Sequence, residues 1–321
     1  MPKDAVVVIT GASSGLGQAV AEEFARNKAR LVLAARDGGG LQAVAKTCRE
    51  LGAEVLVEPT DIGKMVEVRR LAEKALSFGR IDVWFSNAGT GAVGKFEDTP
   101  VEAHESIIRT NLIGHINDAY AAIPIFKKQG RGVFINMISV GGLAAAPFAS
   151  AYSASKFGLK GFSEALRAEL ADQPNIHICD VYPTFLNTPG LSHGANYTGR
   201  ELPVPVGAYS PRKAARAIVR LAANPRPTTT FGILTNVARF AHLIAPNLTT
   251  RILAGMMLRS LRRSARTGNS HGNLFGPIKT PGHVEGDLGN GRVVGSVDIA
   301  AGAALCIGLL VLWRIHSNGQ R

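Results

Sequence analysis

Aromatic residues make up only 6% of the 321-residue sequence, cysteine occurs three times, and acidic side chains are outnumbered 24 to 36 by lysine and arginine. Cys48, Cys179 and Cys306 lie far apart, with no Cys-x-x-Cys pair and no histidine cluster nearby, so neither a disulfide framework nor a zinc site is expected and no metal is assigned. The net charge of +12 raises nucleic acid as a partner. The scarcity of aromatics argues against it, as does the clustering of the excess at Arg251, Arg259, Arg262, Arg263 and Arg266, so no nucleic-acid partner is expected. A basic segment beside a membrane explains that cluster better. No charged leader runs into an apolar stretch and cleavage site at the amino terminus, so a signal peptide is not expected. With 46% hydrophobic and 19% charged residues, the chain can bury a sizeable core.

Two periodicities alternate along the first two thirds of the chain. Apolar, largely β-branched runs predict strands at 5–10, 30–35, 54–58, 83–86, 132–138 and 176–182. Helical spacing predicts helices between them at 18–26, 41–51, 64–78, 103–128 and 152–172. This order predicts an α/β fold, a doubly wound parallel sheet of the Rossmann type covered by helices on both faces. Ser210 before Pro211 reads as an N-cap with proline at the first helical position, opening a helix that runs to Ala223.

The pattern changes past Phe231. The expected organisation is a catalytic domain over 1–232, a basic amphipathic helical extension over 233–266, a flexible glycine-rich linker over 267–296 and a transmembrane helix over 297–315. The extension reads as one helix over 233–261 or two broken at Pro246. The transmembrane reading rests on fifteen uncharged residues, 299–313, closed by Trp313 and Arg314 as interface anchors. It implies a membrane-associated protein with membrane lipid as a partner, held by a single-pass carboxy-terminal anchor with its catalytic domain in the cytoplasm. The alternative is a buried or self-associating helix.

Thr10-Gly11-Ala12-Ser13-Ser14-Gly15-Leu16-Gly17 follows a predicted strand and opens a predicted helix. Small residues let backbone approach a pyrophosphate closely, and a helix amino terminus offers it free N–H groups. At the end of the second strand a carboxylate would select NAD and a cation NADP; here Ala35 is followed by Arg36, a bidentate phosphate donor, so NADP(H) is expected. Arg36 could instead pair with Asp37 on the surface, leaving the preference open. Thr60-Asp61-Ile62 could bring Asp61 to the adenine amino group or cap a helix.

Tyr152 and Lys156 are four residues apart and share one face of a predicted helix. A free phenol titrates near 10, so a nearby ammonium must favour the phenolate before Tyr152 can exchange protons near neutrality. Ser139, ending a predicted strand, can hydrogen-bond a substrate oxygen against the tyrosine. Taken alone, the Tyr/Lys pair reads as a helix surface pair and the serine as a turn; their order behind a dinucleotide site favours chemistry.

These motifs in this order resemble the short-chain dehydrogenase/reductase family over about 5–223. T-G-x-x-x-G-x-G is matched by Thr10, Gly11, Gly15 and Gly17, and the usual N-N-A-G by Ser86, Asn87, Ala88 and Gly89. The family's helix asparagine is matched by Asn111, its serine by Ser139 and Y-x-x-x-K by Tyr152 and Lys156. Pro183-Thr184 stands where proline-glycine is usual, and Thr188 matches a cofactor-contacting threonine. The resemblance implies that Lys156 also holds the nicotinamide ribose, that Asn111 supports a proton-relay water, and that the protein forms homodimers or homotetramers on its long helices.

Cofactor contacts are therefore expected from Thr10, Gly11, Ser13, Ser14, Gly15, Leu16, Gly17, Arg36, Asp61, Ile62, Asn87, Ala88, Gly89, Tyr152, Lys156, Pro183, Thr184 and Thr188. Substrate contacts are expected from 90–97, 141–150 and 185–205, with 186–209 as a lid. The apolar 141–150 run carries no cation. The expected activity is NADP(H)-dependent interconversion of a carbonyl and an alcohol with Tyr152 as general acid and base, on a small hydrophobic substrate of steroid-, retinoid- or lipid-like character. The alternatives are a reductase of small soluble carbonyls and a non-catalytic NADP-sensing scaffold.

Overall fold

The computed structural model describes residues 4–203, 208–278 and 282–286. Elements alternate as expected through β1 (Val6–Thr10), α1 (Gly15–Arg26), β2 (Arg30–Ala35), α2 (Gly38–Glu50), β3 (Val55–Pro59), α3 (Met65–Leu76) and β4 (Val83–Ser86). Then come β5 (Ala92–Val93), α4 (Val101–Ile108), α5 (Gly114–Gln129), β6 (Gly132–Met137), α6 (Ser150–Glu169), β7 (Ile176–Pro183), α7 (Gly190–His193) and β8 (Ala195–Asn196). The described chain continues through α8 (Pro211–Ala223), β9 (Thr228–Phe231), α9 (Ile233–Ile244) and α10 (Pro246–Arg263).

Seven strands form one parallel sheet in the order β3-β2-β1-β4-β6-β7-β9. The chain winds outward from β1 to β3, then returns to place β4 on the other side of β1. That reversal opens a crevice at the carboxyl ends of β1 and β4, where ligands of such sheets bind. Strand alternation sends Val7, Ile9, Phe85 and Ile135 to one face beneath α1, α2 and α8. Val8, Trp84, Phe134 and Ile178 go to the other, packed with residues of α3 and α5. Both faces are dry, which is why these strands read as continuous apolar runs.

The long helix expected over 103–128 is two helices joined by a π-helical turn, Arg109–Ile113. Ser210 caps α8 by accepting from the Lys213 amide. Pro246 ends the run of α9 and opens α10, because it can begin a helix but not continue one. β5, β8 and β9 escaped the sequence reading: the first two have only two residues each, too few to show a period.

The expected membrane-associated localisation needs correction. Among the described residues no helix is long and apolar enough to cross a membrane. In α10, the longest helix beyond residue 232, Arg251, Arg259, Arg262 and Arg263 interrupt the apolar positions. The segment 297–315 lies outside the described residues, and its uncharged run of fifteen is short of the about 20 residues a bilayer core requires. The single-pass anchor is withdrawn, and with it the inferred cytoplasmic placement. Parts of the expected 267–296 linker, residues 267–278 and 282–286, lie against the domain through hydrogen bonds such as Asn273 N to His193 O and Gly286 N to Asn187 O.

Candidate active site

The turn between β1 and α1 lies at the carboxyl edge of the sheet, beside β4. Gly11 and Gly15 take φ of +67° and +56°, left-handed backbone that side chains disfavour. Gly17 is demanded by proximity: a Cβ there would stand 2.0 Å from the Gly11 carbonyl oxygen. Asn87 ties the turn to β4, donating from its amide to Thr10 Oγ1 and from Nδ2 to Thr10 O, each at 3.0 Å. Ala88 packs on Gly11, and Gly89 faces Asn111. Ser14 is the N-cap of α1 but makes no side-chain cap, which leaves the first amides to an acceptor from outside the helix. Such a cradle suits a phosphate-bearing ligand.

Behind this turn lies a carboxylate. Asp118 of α5, fully buried, accepts from Thr10 Oγ1 at 3.1 Å and from Ser86 Oγ at 2.7 Å. Burial pushes its carboxyl up to about 7, against the hydroxyl hydrogen bonds, which favour the charged form.

Across the crevice, Ser139 follows β6 and α6 carries Tyr152 and Lys156. The Tyr152 ring stands between two glycines: a Cβ on Gly91 would lie 3.5 Å from it and one on Gly141 2.9 Å. Lys156 is buried, donates from Nζ to Met137 O at 2.9 Å, and holds its ammonium 5.8 Å from the centre of the Tyr152 ring. Burial lowers Lys156 to about 7. Burial also raises the Tyr152 phenol, and the Ser139 hydrogen bond works against that rise. The sequence predicts a lysine charge that favours the phenolate; with Lys156 buried and Tyr152 half-buried, desolvation outweighs it.

Asn111 sits in the π turn, a local widening of the helix frequent at functional sites. Its Oδ1 accepts from Thr90 N and its Nδ2 donates to Thr90 O, both at 2.8 Å, with Ser155 Oγ at 3.3 Å. His115 meets Ala88 O through Nε2 at 2.8 Å and Asn136 Oδ1 through Nδ1 at 2.6 Å. Burial, with the Lys156 charge adding to it, drives its imidazole down to about 4, so the ring is neutral at physiological pH.

A glycine cradle at the sheet's reversal point, facing a Ser-Tyr-Lys group, has a counterpart among known proteins. The family profile described as short chain dehydrogenase (adh_short) matches residues 5–195. The chain belongs to the short chain dehydrogenase family. It is 32% identical over 263 residues to an uncharacterized oxidoreductase, YxnA, of Bacillus subtilis, covering 80% of this chain and 74% of that one. It is 37% identical over 186 residues to 11-beta-hydroxysteroid dehydrogenase-like 2 of Arabidopsis thaliana, covering 57% and 59%. An alcohol dehydrogenase from Thermococcus sibiricus, solved in complex with 5-hydroxy-NADP, superimposes with a TM-score of 0.63 at 26% identity, over 71% of this chain and 95% of that one. As a short chain dehydrogenase the protein is an oxidoreductase acting between alcohols and carbonyls with a nicotinamide cofactor.

Of the other residues expected in a short chain dehydrogenase site, Thr184 packs on Gly232 at the end of β9 and Thr188 closes over Gly15. Ser13 lies near Gly40 at the start of α2. Asp61 is taken up locally, its Oδ1 accepting from Gly63 N at 3.0 Å ahead of α3. Ile62 turns inward, buried against Gly114, and Leu16 is likewise buried in the core. Asp37 is not the partner of Arg36; it accepts from Gly40 N at 3.0 Å and caps α2. Arg36 reaches out to donate to the carbonyls of Asn273 and Leu274, the latter at 3.1 Å. A recess beside Tyr152, of about 10 Å³, has Ala92, Thr99, His104, Ile107, Phe148 and Ala149 among its lining residues.

Asp118 and His115 are site residues the sequence reading missed, whereas Thr90 opens the 90–97 stretch expected to face substrate. A signal existed for the first two: a carboxylate and an imidazole three apart on the stripe of α5 that also carries Ala119 and Ala122 must find internal partners.

Proposed function

We propose that this enzyme interconverts an apolar ketone or aldehyde and its alcohol using NADP(H), with Tyr152 exchanging the proton. The observation that carries this reading is the Tyr152 ring held between Gly91 and Gly141, with the Lys156 ammonium 5.8 Å from its centre. In reduction the Tyr152 hydroxyl gives its proton to the substrate oxygen; in oxidation the phenolate takes the proton of the alcohol. Ser139 holds that oxygen by a hydrogen bond, and Lys156, when protonated, favours the phenolate. Bound NADP(H) supplies or receives the hydride.

The cradle from Thr10 to Gly17 would hold the pyrophosphate, Arg36 the 2′-phosphate, Asn87 to Gly89 with Asp61 and Ile62 the adenosine side, and Tyr152, Lys156, Pro183, Thr184 and Thr188 the nicotinamide side. Preference for NADP rests on Arg36, which is not paired with Asp37 and meets only backbone carbonyls that an anion could replace, and on the absence of an acid at Ala35. An apolar substrate is supported by the 141–150 run beside Tyr152, which carries no lysine or arginine to meet a substrate carboxylate. The reading includes homodimers or homotetramers, supported by Ile113 and Tyr120 exposed on the π turn and α5; light scattering of the purified chain tests it.

A carbonyl panel with NADPH and NADH tests function. Steroid-like, retinoid-like and long-chain carbonyls should turn over with NADPH at higher kcat/KM than short polar ones. Turnover confined to short polar carbonyls would show that the apolar reading is wrong. NADPH binding without turnover of any carbonyl would favour a sensor.

A further inference from the structure

The carboxy-terminal part of the described chain lies across the crevice in which the cofactor and substrate are proposed to bind. At the glycine turn, the Gly15 amide donates to His283 O at 2.9 Å. Gly282 is pressed onto the same turn, where a Cβ would come within 2.3 Å of Ser13 O. At the end of β2 the Arg36 guanidinium is bound by the carbonyls of Asn273 and Leu274, and Asn273 Oδ1 accepts from Thr90 Oγ1 at 2.6 Å. On the substrate side, Leu274 is 1% exposed in a cluster with Ala92, Ala103, Ile107, Ala195 and Tyr197, against which Tyr152 packs. Val284, 3% exposed, anchors the far end in the main core, and Glu285 pairs with Arg212 at 2.8 Å.

The donors that a dinucleotide's phosphates need are thus already bonded to carbonyl oxygens of the same chain. The Gly15 N–H has one hydrogen, and it cannot serve His283 O and a phosphate oxygen together. The Arg36 guanidinium keeps further N–H donors, but the two carbonyls engage both of its terminal nitrogens and so compete with a 2′-phosphate for them. Carbonyl oxygens are weaker acceptors than phosphate oxygens, so the cofactor can displace them, but only by giving up the burial of Leu274 and the backbone contacts of Gly282.

We propose that residues 271–278 and 282–286 form an autoinhibitory strap that occupies the dinucleotide crevice and packs Leu274 beside Tyr152, and that NADP(H) binds only when the strap is displaced. The inference rests on the cofactor assignment above. Apparent affinity is then the intrinsic affinity reduced by the fraction of molecules with the strap open.

The test uses the full chain, with Gly282→Ala to drive the strap off Ser13 and Leu274→Asp to expel its other end from the apolar cluster beside Tyr152. NADPH and NADH binding are titrated by nicotinamide fluorescence, and hydrogen–deuterium exchange is followed with and without NADPH. Both variants should bind NADPH more tightly than the parent, by up to about tenfold if an open fraction near one tenth becomes dominant. In the parent, NADPH should slow exchange across 11–17 and speed it across 271–278 and 282–286. Unchanged affinity in both variants, or a strap that NADPH protects, would overturn the strap while leaving the cofactor assignment standing. Tighter NADH binding in the variants with NADPH no better would keep the strap and overturn the NADP preference. Failure of both dinucleotides to bind any variant would overturn the cofactor assignment and the strap with it.

Discussion

Lys156 donates its Nζ proton to Met137 O, 2.9 Å away, from a position 5.8 Å from the centre of the Tyr152 ring, so the ammonium is held beside the phenol by the backbone of β6. The contact fixes the lysine without a carboxylate to keep it charged. Its value near 7, against an ordinary 10.5, places its loss of charge in the range where the enzyme would work.

The sign of the resulting pH dependence follows. Between pH 7 and 10.5 the unfolded chain binds a proton at Lys156 that the folded chain has lost. The penalty for burying the charge is full below the folded value and is relieved as pH rises through that window, so this group's contribution makes stability climb by up to about 1.4 kcal/mol per pH unit. Chemical denaturation from pH 7 to 10 should show that climb reduced in Lys156→Met; equal slopes would place the lysine's titration elsewhere.

Asp118 predicts the opposite trend in a lower window. Its folded value near 7, against 3.8, means the folded chain holds the extra proton between those limits, so stability falls as pH rises across them. Asp118→Asn keeps an acceptor for Thr10 and Ser86 and should flatten the dependence. Denaturation midpoints at pH 5 and pH 8 check it, and an unaltered difference in the variant would remove Asp118 as its source.

Arg36→Ala tests the 2′-phosphate assignment. Losing charge-assisted hydrogen bonds worth about 1.5–3 kcal/mol should weaken NADPH binding about ten- to hundredfold relative to NADH. The ratio of the two dissociation constants is the quantity to measure, because any loosening of the strap by the same substitution affects both dinucleotides and cancels. A constant ratio would make Arg36 a strap contact alone.

Gly17→Ala should remove dinucleotide binding. The added carbon would stand 2.0 Å from Gly11 O, which is backbone, so the turn must open. Calorimetric titration with NADPH should show no heat of binding, while circular dichroism stays helical. Normal binding would mean that the turn has slack absent from this structure.

The βαβ alternation was legible in the sequence because the parallel strands are buried on both faces and stand out as apolar runs. The glycine turn and the order Ser139, Tyr152, Lys156 were legible because backbone proximity and proton chemistry allow few residue types. Less was visible where structure depends on partners distant in sequence. The π turn at Arg109–Ile113 widens a helix whose periodicity runs on through it. The partners of Asp118 have no local signal in the sequence, because Thr10 and Ser86, whose hydroxyls point at it, lie 108 and 32 residues away along the chain. Residues 271–278 and 282–286 have no period, and their contacts at the glycine turn and Arg36 use backbone carbonyls, which every residue has. Composition alone therefore suggested a linker. The membrane anchor was inferred from an apolar run too short to require one.

The most direct test of the central claim is a single-turnover measurement of NADPH oxidation with a bound apolar carbonyl, comparing the parent chain with Tyr152→Phe. Loss of the proton donor should slow the step by about 10²–10⁴-fold, far more than it weakens NADPH binding, for which the remaining cofactor contacts are kept. A variant that oxidises NADPH at the parent rate would contradict the account, since Tyr152 would then have no part in the proton transfer.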